Sequence, residues 1–298
     1  LFTRGQIIKL FSFCMKVYRE EGYVFPVQKA SLEKLPSYEG AIVFDPEPNV
    51  EYDALAVKDY SSLYPSSIIH KNMSHETIVY NDKYDNLPGI EYYNAKFIEY
   101  DGSTQYRRFA KVNGQLGIVP KILQSLLGER KAVKKIMKKE TDQFKKNILD
   151  AKQLALKITA NSLYGGLGAG ISPVKQRDIA ACTTSTGQEM LVFAKEYDEN
   201  IVPWLIGGLK YAMKEDKDEL FNFIIEKELK HKSDEFIENI KKYVAEEIKD
   251  YTFQPVIRYG DTDSIFSSYR FQDKNKEMNN SKQLKLFKDI IKFSEELI

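Results

Sequence analysis

QPVIRYGDTDSIFSSY, at residues 254–269, is the stretch that decides the fold. Two runs rich in β-branched and aromatic residues flank a four-residue Gly-Asp-Thr-Asp turn, which is the pattern of a β-hairpin. The turn carries Asp261 and Asp263 at the tip of this hairpin. Aspartate is a common turn former, so the segment taken alone is more typical of a structural turn than of a metal site.

A second acidic segment reads DYSSLYPS at residues 59–66. Its aspartate, Asp59, ends an apolar strand that we predict at 52–60. Backbone N–H groups just after this aspartate could hold phosphate oxygens, although a plain β-turn closed by Pro65 is the alternative. Brought side by side on one sheet, Asp59 and the two hairpin aspartates would offer carboxylate oxygens to divalent cations.

The third segment, KITANSLYG at residues 157–165, is predicted to be helical. Lys157, Asn161 and Tyr164 are spaced i, i+4 and i+7 and therefore share one stripe of the helix. An asparagine in mid-helix costs up to about 0.7 kcal/mol relative to alanine, which invites a functional explanation without requiring one. Residues 129–157 hold ten cations and four anions, so a polyanion would be attracted to this part of the chain.

The remaining pattern predicts a chain that mixes helices and strands. The predicted elements are a helix at 6–18, a strand-like segment at 22–26, extended structure over 39–70 with strands at 41–44 and 52–60, hairpins or irregular structure at 78–112, a helix from 120 to about 145, an antiparallel partner helix from about 149 to 164 stopped by Gly165 and Gly166, a helix from about 178 to 197 and a helical block at 200–250.

Composition is that of a globular protein, with 43% hydrophobic and 29% charged residues among 298. No apolar run approaches the roughly 20 residues that span a bilayer, so we expect no membrane partner. The two cysteines and three histidines show no metal-binding spacing, and a reducing compartment is expected. The sequence starts at Leu1 without a leader, and we expect it to be a fragment of a longer protein.

The three segments, in this order, resemble the signature motifs of family B (polymerase alpha-like) DNA polymerases. The likeness extends to the segments between and around the motifs and is missing only at about 200–252. These similar segments are residues 3–6, 38–41, 117–120, 149–156 and 180–187. The segment at 84–89 and the long spacing between the second and third motifs are similar to polymerases of large eukaryotic double-stranded DNA viruses. A nucleus or a viral replication compartment is therefore the expected location.

The resemblance implies an α+β fold, in which a palm with an antiparallel sheet carries the catalytic carboxylates and an antiparallel helix pair forms the fingers. The implied palm comprises residues 1–119 and 167–298, with a helical insertion at about 200–250, and the implied fingers comprise residues 120–166. The complete protein is expected to carry a proofreading exonuclease and a thumb as well.

The resemblance also implies a template-directed DNA polymerase that adds deoxynucleoside triphosphates to a primer 3′ end during DNA replication. Two Mg²⁺ ions would activate the 3′ hydroxyl and neutralise the leaving pyrophosphate. Asp59, Asp261 and Asp263 would hold them as the catalytic carboxylates, with the Tyr60 carbonyl as a further ligand. The implied partners are primer–template DNA, the incoming nucleotide and, in the full-length protein, a sliding clamp or other replication proteins.

Further residues receive their roles from the family likeness. Tyr64 would pack beneath the sugar and leave no room for a 2′ hydroxyl, although an aromatic residue beside Leu63 is by default part of a core. Lys131, Lys135, Lys138 and Lys139 are interpreted as a solvated basic face. The implied nucleotide-binding residues are Ser62, Leu63, Tyr64, Arg130, Lys134, Lys157 and Asn161, and the implied DNA-binding residues are Tyr164, Gly165 and Tyr259.

Two other classes of function share part of this pattern. A catalytically inactive family B module that serves as a replisome scaffold would be expected to lose metal carboxylates, and all three are present here. A reverse transcriptase or another palm enzyme would also place two aspartates in a hairpin. Such an enzyme would not supply the Lys157, Asn161 and Tyr164 stripe on a helix.

Overall fold

The computed structural model describes residues 5–25, 37–46, 48, 50, 54–273 and 280–297. The chain divides into two compact units, which we call the first and second unit. The first comprises the described residues of Leu1–Ala41 and of Ser61–Gln188, and the second those of Ile42–Tyr60 and of Glu189–Ile298. These units do not follow the palm and fingers division, which stays a prediction.

The described elements, in chain order, are α1 (Gln6–Glu20), β1 (Val43–Phe44), β2 (Leu55–Asp59), α2 (Leu63–His70), β3 (Ile78–Val79), β4 (Ile90–Ile98), β5 (Thr104–Val112), α3 (Ile118–Lys139), α4 (Gln143–Gly168), α5 (Arg177–Glu196), α6 (Val202–Lys214), α7 (Asp218–Ile224), α8 (Asp234–Lys242), β6 (Tyr251–Asp261), β7 (Ser264–Asp273) and α9 (Asn280–Leu297). Short π-helical turns follow α5, α7 and α8, and a 3-10 turn spans Asp82–Tyr84. The predicted α+β class, with antiparallel sheets and an antiparallel helix pair, is confirmed.

The second unit is built on an antiparallel sheet with strand order β1-β6-β7-β2. Strands β6 and β7 form the predicted hairpin, but its turn is shorter than expected. Asp261 pairs with Ser264, so only Thr262 and Asp263 lie in the turn. Thr262 adopts a left-handed conformation with φ of 55°, which allows a two-residue connection between strands.

The helical block predicted at 200–250 packs in the second unit. Its apolar positions recur at helical spacing and meet the inner face of β7 together with α9. Gly208 of α6 is needed there, because a Cβ at this position would lie 2.8 Å from Ile224 Cδ1 of α7. Fully buried members of this core are Val202, Leu205, Leu209, Ile224, Leu229, Ile240, Ile248, Leu286 and Ile290.

The first unit packs α1, α3, α4 and the first part of α5 with a small antiparallel sheet of order β3-β5-β4. The hairpin of β4 and β5 shows that residues 78–112 contain regular strands, one of the two structures that the sequence left open. Phe97 and Phe109 of this hairpin are fully buried beside Leu123, Leu163 and Leu167. This core therefore holds the N-terminal end of α3 and the C-terminal end of α4 in place.

Two predictions of extended structure were wrong. Residues 63–70 form α2 rather than a strand or turn, because Ser62 takes a left-handed conformation and Pro65 falls in the first helical turn, where its missing N–H costs nothing. Residues 22–25 are not a strand, since Gly22 and Tyr23 close the end of α1 by donating to the carbonyls of Arg19 and Tyr18. Residue 26 and positions 52–53 lie outside the described residues.

The predicted helix pair exists, but its boundaries differ from those expected. Helix α3 ends at Lys139, and α4 already begins at Gln143, because the Asp142 side chain caps the N–H groups of Phe144 and Lys145. Helix α4 also runs through Gly165 and Gly166 to Gly168. A Cβ at Gly166 would lie 2.9 Å from Leu10 Cδ2, so this glycine serves close packing with α1 and does not end the helix.

In the part of the chain that the structure describes, no helix has both the length and the apolar character needed to cross a membrane.

Candidate active site: an acidic sheet edge and a basic groove

The three motif aspartates belong to the second unit and meet at one end of its sheet. Asp59 of β2 and Asp261 of β6 both pair with Ser264 of β7, from opposite sides. Directly opposed residues in antiparallel strands share one face, so both carboxylates project from the same face, two strand spacings of about 4.8 Å apart. Asp263 lies in the adjoining turn, and its carbonyl accepts a hydrogen bond of 2.8 Å from the Tyr60 N–H.

Tyr60 and Gly260 hold this acidic edge in place. The Tyr60 hydroxyl donates to the Met190 carbonyl at 3.1 Å, and its half-buried ring packs against a small apolar cluster. Burial raises the pKa of this phenol, which keeps it a neutral donor. Gly260 pairs with Phe44, and a Cβ there would lie 2.5 Å from Phe44 Cδ2. The glycine of the Gly-Asp-Thr-Asp turn is therefore required for the packing of β1 on β6.

The donor set at this edge is compatible with magnesium. Asp59 and Asp261 are exposed and Asp263 is half-buried, so solvent and substrate oxygens can reach them. Among the residues that the structure describes, no group of three or more His, Cys, Asp or Glu side chains is arranged to hold a metal ion. Magnesium needs only one or two protein carboxylates because water and substrate phosphate oxygens supply its other ligands. These aspartates therefore suit a magnesium ion that is also bound by a substrate.

Tyr259 lies on the same edge of the second unit. It pairs with Phe266 across the hairpin, next to a β-bulge, and the two rings are 5.5 Å apart. The Tyr259 hydroxyl is 3.5 Å from Asp261 Oδ2. An aromatic side chain thus flanks the carboxylates, and the DNA-binding role of Tyr259 stays a prediction.

A basic groove of about 580 Å³ lies in the first unit between α2 and α3. Arg130 spans it, with Nη1 3.3 Å from Ser62 Oγ and Nε 3.2 Å from Gln153 Oε1 of α4. Cations and hydroxyls without a carboxylate are the donors that suit a phosphate chain. The lining consists of Ser61, Ser62, Ser66, Leu127, Arg130, Lys131, Lys134, Lys135 and Lys138.

The sequence predicted only some of the cations that line this groove. Lys131, Lys135 and Lys138, interpreted above as solvated, line it together with the expected Arg130 and Lys134. The alternation of cations along α3 at i and i+3 or i+4 was the available signal. Lys157, Asn161 and Gly165 are exposed along one stripe of α4 and are not among the lining residues.

Ser62 and Leu63 form the start of α2. Ser62 lies in the groove lining, and Leu63 is buried at 5% exposure. The start of a helix presents unpaired N–H groups, so this segment offers the donors that the sequence led us to expect in a turn. The structure has a helix N-terminus here in place of the alternative β-turn, and the nucleotide-binding role of Ser62 and Leu63 stays a prediction.

Tyr64 and Tyr164 are stacked in the first unit, with ring centroids 4.4 Å apart and planes 26° apart. The Tyr164 hydroxyl is 2.8 Å from Thr184 Oγ1 of α5. Both tyrosines are half-buried, so neither is a plain core residue. Two residues that the sequence assigned to different motifs and different roles are thus in direct contact.

The base of α3 is capped from a distant segment, which the sequence did not reveal. Gly117 permits this, because a Cβ there would lie 2.8 Å from both Ser74 Cβ and Thr77 Cγ2. Distant side chains can satisfy the unpaired N–H groups at a helix start as well as a local cap can. The acceptors are Asn72 Oδ1 for the N–H of Gly117 at 2.7 Å, Glu76 Oε1 for that of Ile118 at 2.5 Å and Ser74 Oγ for that of Val119 at 3.1 Å.

Comparison with known proteins tests the family resemblance. A family described as DNA polymerase family B matches residues 1–294. The DNA polymerase of Pyramimonas orientalis virus is 37% identical over 257 residues, covering 67% of this chain and 21% of that protein. The DNA polymerase delta catalytic subunit of Drosophila melanogaster is 35% identical over 200 residues, covering 67% of this chain and 18% of that protein. The chain thus spans about a fifth of the length of these relatives.

A solved structure agrees at the level of the fold. The family B DNA polymerase from the hyperthermophilic archaeon Pyrobaculum calidifontis matches 98% of this chain and 28% of its own, with a TM-score of 0.53 and 21% identity. The resemblance inferred from the three motifs is confirmed by a match that runs almost from one end of the sequence to the other. This chain belongs to DNA polymerase family B.

Proposed function

We propose that the chain carries the polymerase active site of a template-directed DNA polymerase, which adds deoxynucleoside triphosphates to a primer 3′ end in DNA replication. The observation that supports this most is the strand register of the second unit. It sets Asp59 and Asp261 on one face on either side of Ser264, beside Asp263 in the turn. A carboxylate row of this kind serves no packing purpose, since Asp59 and Asp261 are exposed.

Asp59, Asp261 and Asp263, with the Tyr60 carbonyl, would hold two Mg²⁺ ions. When bound, such ions stabilise both the attacking and the leaving oxygen of an in-line displacement. The task of the chain is to keep the carboxylates exposed and in register. The hydrogen bond from Tyr60 to Asp263 and the pairing of Asp59 with Ser264 supply that register.

Arg130, Lys134 and Lys157, with Asn161, would contact the triphosphate, and the start of α2 at Ser62 and Leu63 would donate to it. Phosphoryl transfer relies on positioning and charge stabilisation more than on covalent chemistry of the protein. Cations on a helix pair suit this task because they can neutralise charge that develops on the leaving group. The groove lining supports the assignment of Arg130 and Lys134 most directly.

Tyr64 would select the deoxyribose sugar, while Tyr164, Gly165 and Tyr259 would contact DNA. We also propose the division into a palm of residues 1–119 and 167–298 and fingers of residues 120–166. The complete protein would act on primer–template DNA, together with a sliding clamp or other replication proteins. A nucleus or a viral replication compartment would be its place of action.

Primer extension by the full-length protein with Mg²⁺ and deoxynucleotides tests the proposal. We expect Asp263→Ala to reduce extension by at least roughly a thousandfold, because metal-held charge stabilisation is lost. The matched control is Asp101→Ala, which removes an exposed aspartate from the turn between β4 and β5, where it accepts from Ser103 N. Extension that survives Asp263→Ala at the control level would remove the proposed metal site. An inactive wild-type protein that still binds DNA would favour the scaffold instead.

A further inference from the structure

The ring of Tyr64 is fixed by α5 as well as by its own helix. It stacks on Tyr164 at 4.4 Å, and its Cδ1–Cε1 edge faces Gly187 of α5. A Cβ built on Gly187 would lie 2.9 Å from Tyr64 Cε1 and 3.5 Å from Cδ1. One face and one edge of the ring are thereby set by neighbours in the same unit.

Thr184 fixes the other half of this arrangement. Its hydroxyl is buried and donates to the Ala180 carbonyl at 3.0 Å, so its oxygen is left to accept from the Tyr164 hydroxyl at 2.8 Å. Thr184 and Gly187 are three residues apart and lie on one face of α5. A single helix face therefore anchors Tyr164 by a hydrogen bond and limits Tyr64 by contact.

We propose that Thr184 and Gly187 are positioning residues that set how strictly Tyr64 discriminates between deoxyribonucleotides and ribonucleotides. This inference rests on the proposed role of Tyr64 as the sugar-selecting residue. Neither residue would touch the nucleotide, because both act through the two stacked rings. Their effect is on where the Tyr64 ring lies.

The size of the displacement follows from the contacts. Ordinary carbon–carbon contacts begin at 3.4 Å, so an alanine at 187 must push the Tyr64 ring edge outward from 2.9 Å. The ring cannot yield freely, since Tyr164 covers one of its faces. A glycine inside a helix is unfavourable relative to alanine, so its presence at 187 calls for a contact that alanine would break. Misplacement by about 1 Å at a reacting centre can cost roughly a hundredfold, and half of that shift corresponds to about tenfold.

The experiment measures single-nucleotide incorporation by the full-length protein and compares kcat/KM for dCTP and CTP opposite a template guanine. We expect both Gly187→Ala and Thr184→Val to lower the ratio of dCTP to CTP efficiency by about tenfold. Thr184→Ser keeps the hydroxyl and should restore the ratio. Gly208→Ala is the matched control, because its Cβ would meet Ile224 Cδ1 at a similarly short 2.8 Å in the core of the second unit, and it should leave the ratio unchanged.

Tyr64→Ala separates this inference from the function on which it rests. If Tyr64→Ala leaves the sugar ratio at the wild-type value, the sugar-selecting role itself is wrong. If Tyr64→Ala lowers the ratio while Gly187→Ala and Thr184→Val retain it, the positioning role of α5 is overturned. In the Tyr64→Ala background, Gly187→Ala should add no further change, since the ring on which it acts is gone. Should Gly187→Ala fail to fold, the Thr184→Val and Thr184→Ser pair decides alone.

Discussion

Lys58 carries a buried charge one position before the proposed metal ligand Asp59. Its Nζ lies 2.5 Å from Asp198 Oδ1 and 2.8 Å from the Tyr269 hydroxyl, and Ser267 donates to the second carboxylate oxygen. The two charged side chains are 9% and 0% exposed. Burial lowers the pKa of Lys58, and the neighbouring Asp198 opposes this shift. The pair is therefore a costly feature that stands only because each charge has its partner.

Removing either partner should destabilise the protein strongly. We expect Lys58→Met or Asp198→Asn alone to lower the free energy of unfolding by about 3–5 kcal/mol, because a single buried charge remains. The double variant should lose less than the sum of the two, since no uncompensated charge is left. Denaturant midpoints of the full-length protein measure this. Strictly additive losses would show that the two side chains do not depend on each other.

At the scale of elements, helix α3 is anchored at its start by a turn whose centre is His75. The ring of His75 is half-buried, with Nε2 3.1 Å from the Val174 carbonyl and Nδ1 3.1 Å from the Tyr18 hydroxyl. Burial lowers the pKa of His75, although the bond to Val174 and the charge of Glu76 oppose this. The residue next to it, Glu76, caps α3. Protonation of His75 thus acts at the base of the helix that carries the groove cations.

Acidification should lower the free energy of unfolding through His75. The folded pKa of His75 lies below the unfolded value of about 6.5, so between these two values the unfolded chain takes up a proton that the folded chain does not. Stability is therefore complete above about pH 6.5 and falls as the pH drops toward the folded pKa. We expect His75→Gln to flatten this part of the profile of unfolding free energy against pH. The exposed His231→Gln is the control, and an unchanged profile in His75→Gln would contradict the assignment.

The elements also show where sequence reasoning succeeds and where it stops. Hairpin β6–β7 and the pair α3–α4 were predictable because turn residues and periodicity are local signals. Helix α2 was missed, since its start depends on the left-handed conformation of Ser62. The end of α4 was placed too early because Gly166 is a packing residue whose partner, Leu10, lies far away in the sequence. The contact of Gly187 with Tyr64 is of the same kind and leaves no local trace.

On the scale of the whole molecule, a formal net charge of +1 conceals an uneven distribution. Residues 129–157 hold ten cations against four anions, whereas residues 213–250 hold eight cations against twelve anions. The first segment contributes most of the groove lining, and the second forms the helical block of the second unit. An acidic surface is a poor partner for phosphates, so we expect nucleotide and DNA binding to depend on the cations of the first segment and not on those of the second.

Removing two cations from each segment by alanine substitution tests this expectation. We expect the double variant Arg130→Ala with Lys134→Ala to raise the KM for deoxynucleotides by at least roughly a hundredfold, because two charged hydrogen bonds of about 1.5–3 kcal/mol each are lost. Its incorporation rate should also respond less to added salt. The control is Lys230→Ala with Lys241→Ala in the acidic block. Equal effects of the two double variants would mean that the groove has no special role.

Strand β2 lies at the margin of the sheet and pairs only with β7 among the described strands. A slip of a single residue in that pairing would turn each side chain to the opposite face, so that an ammonium group would stand where a carboxylate belongs. Such a misfolded molecule would repel the very cations it has to recruit. A shifted strand would lose the salt bridge between Lys58 and Asp198 and leave its charges unpaired. This salt bridge therefore favours the strand alignment that places the carboxylate of Asp59 at the proposed metal site.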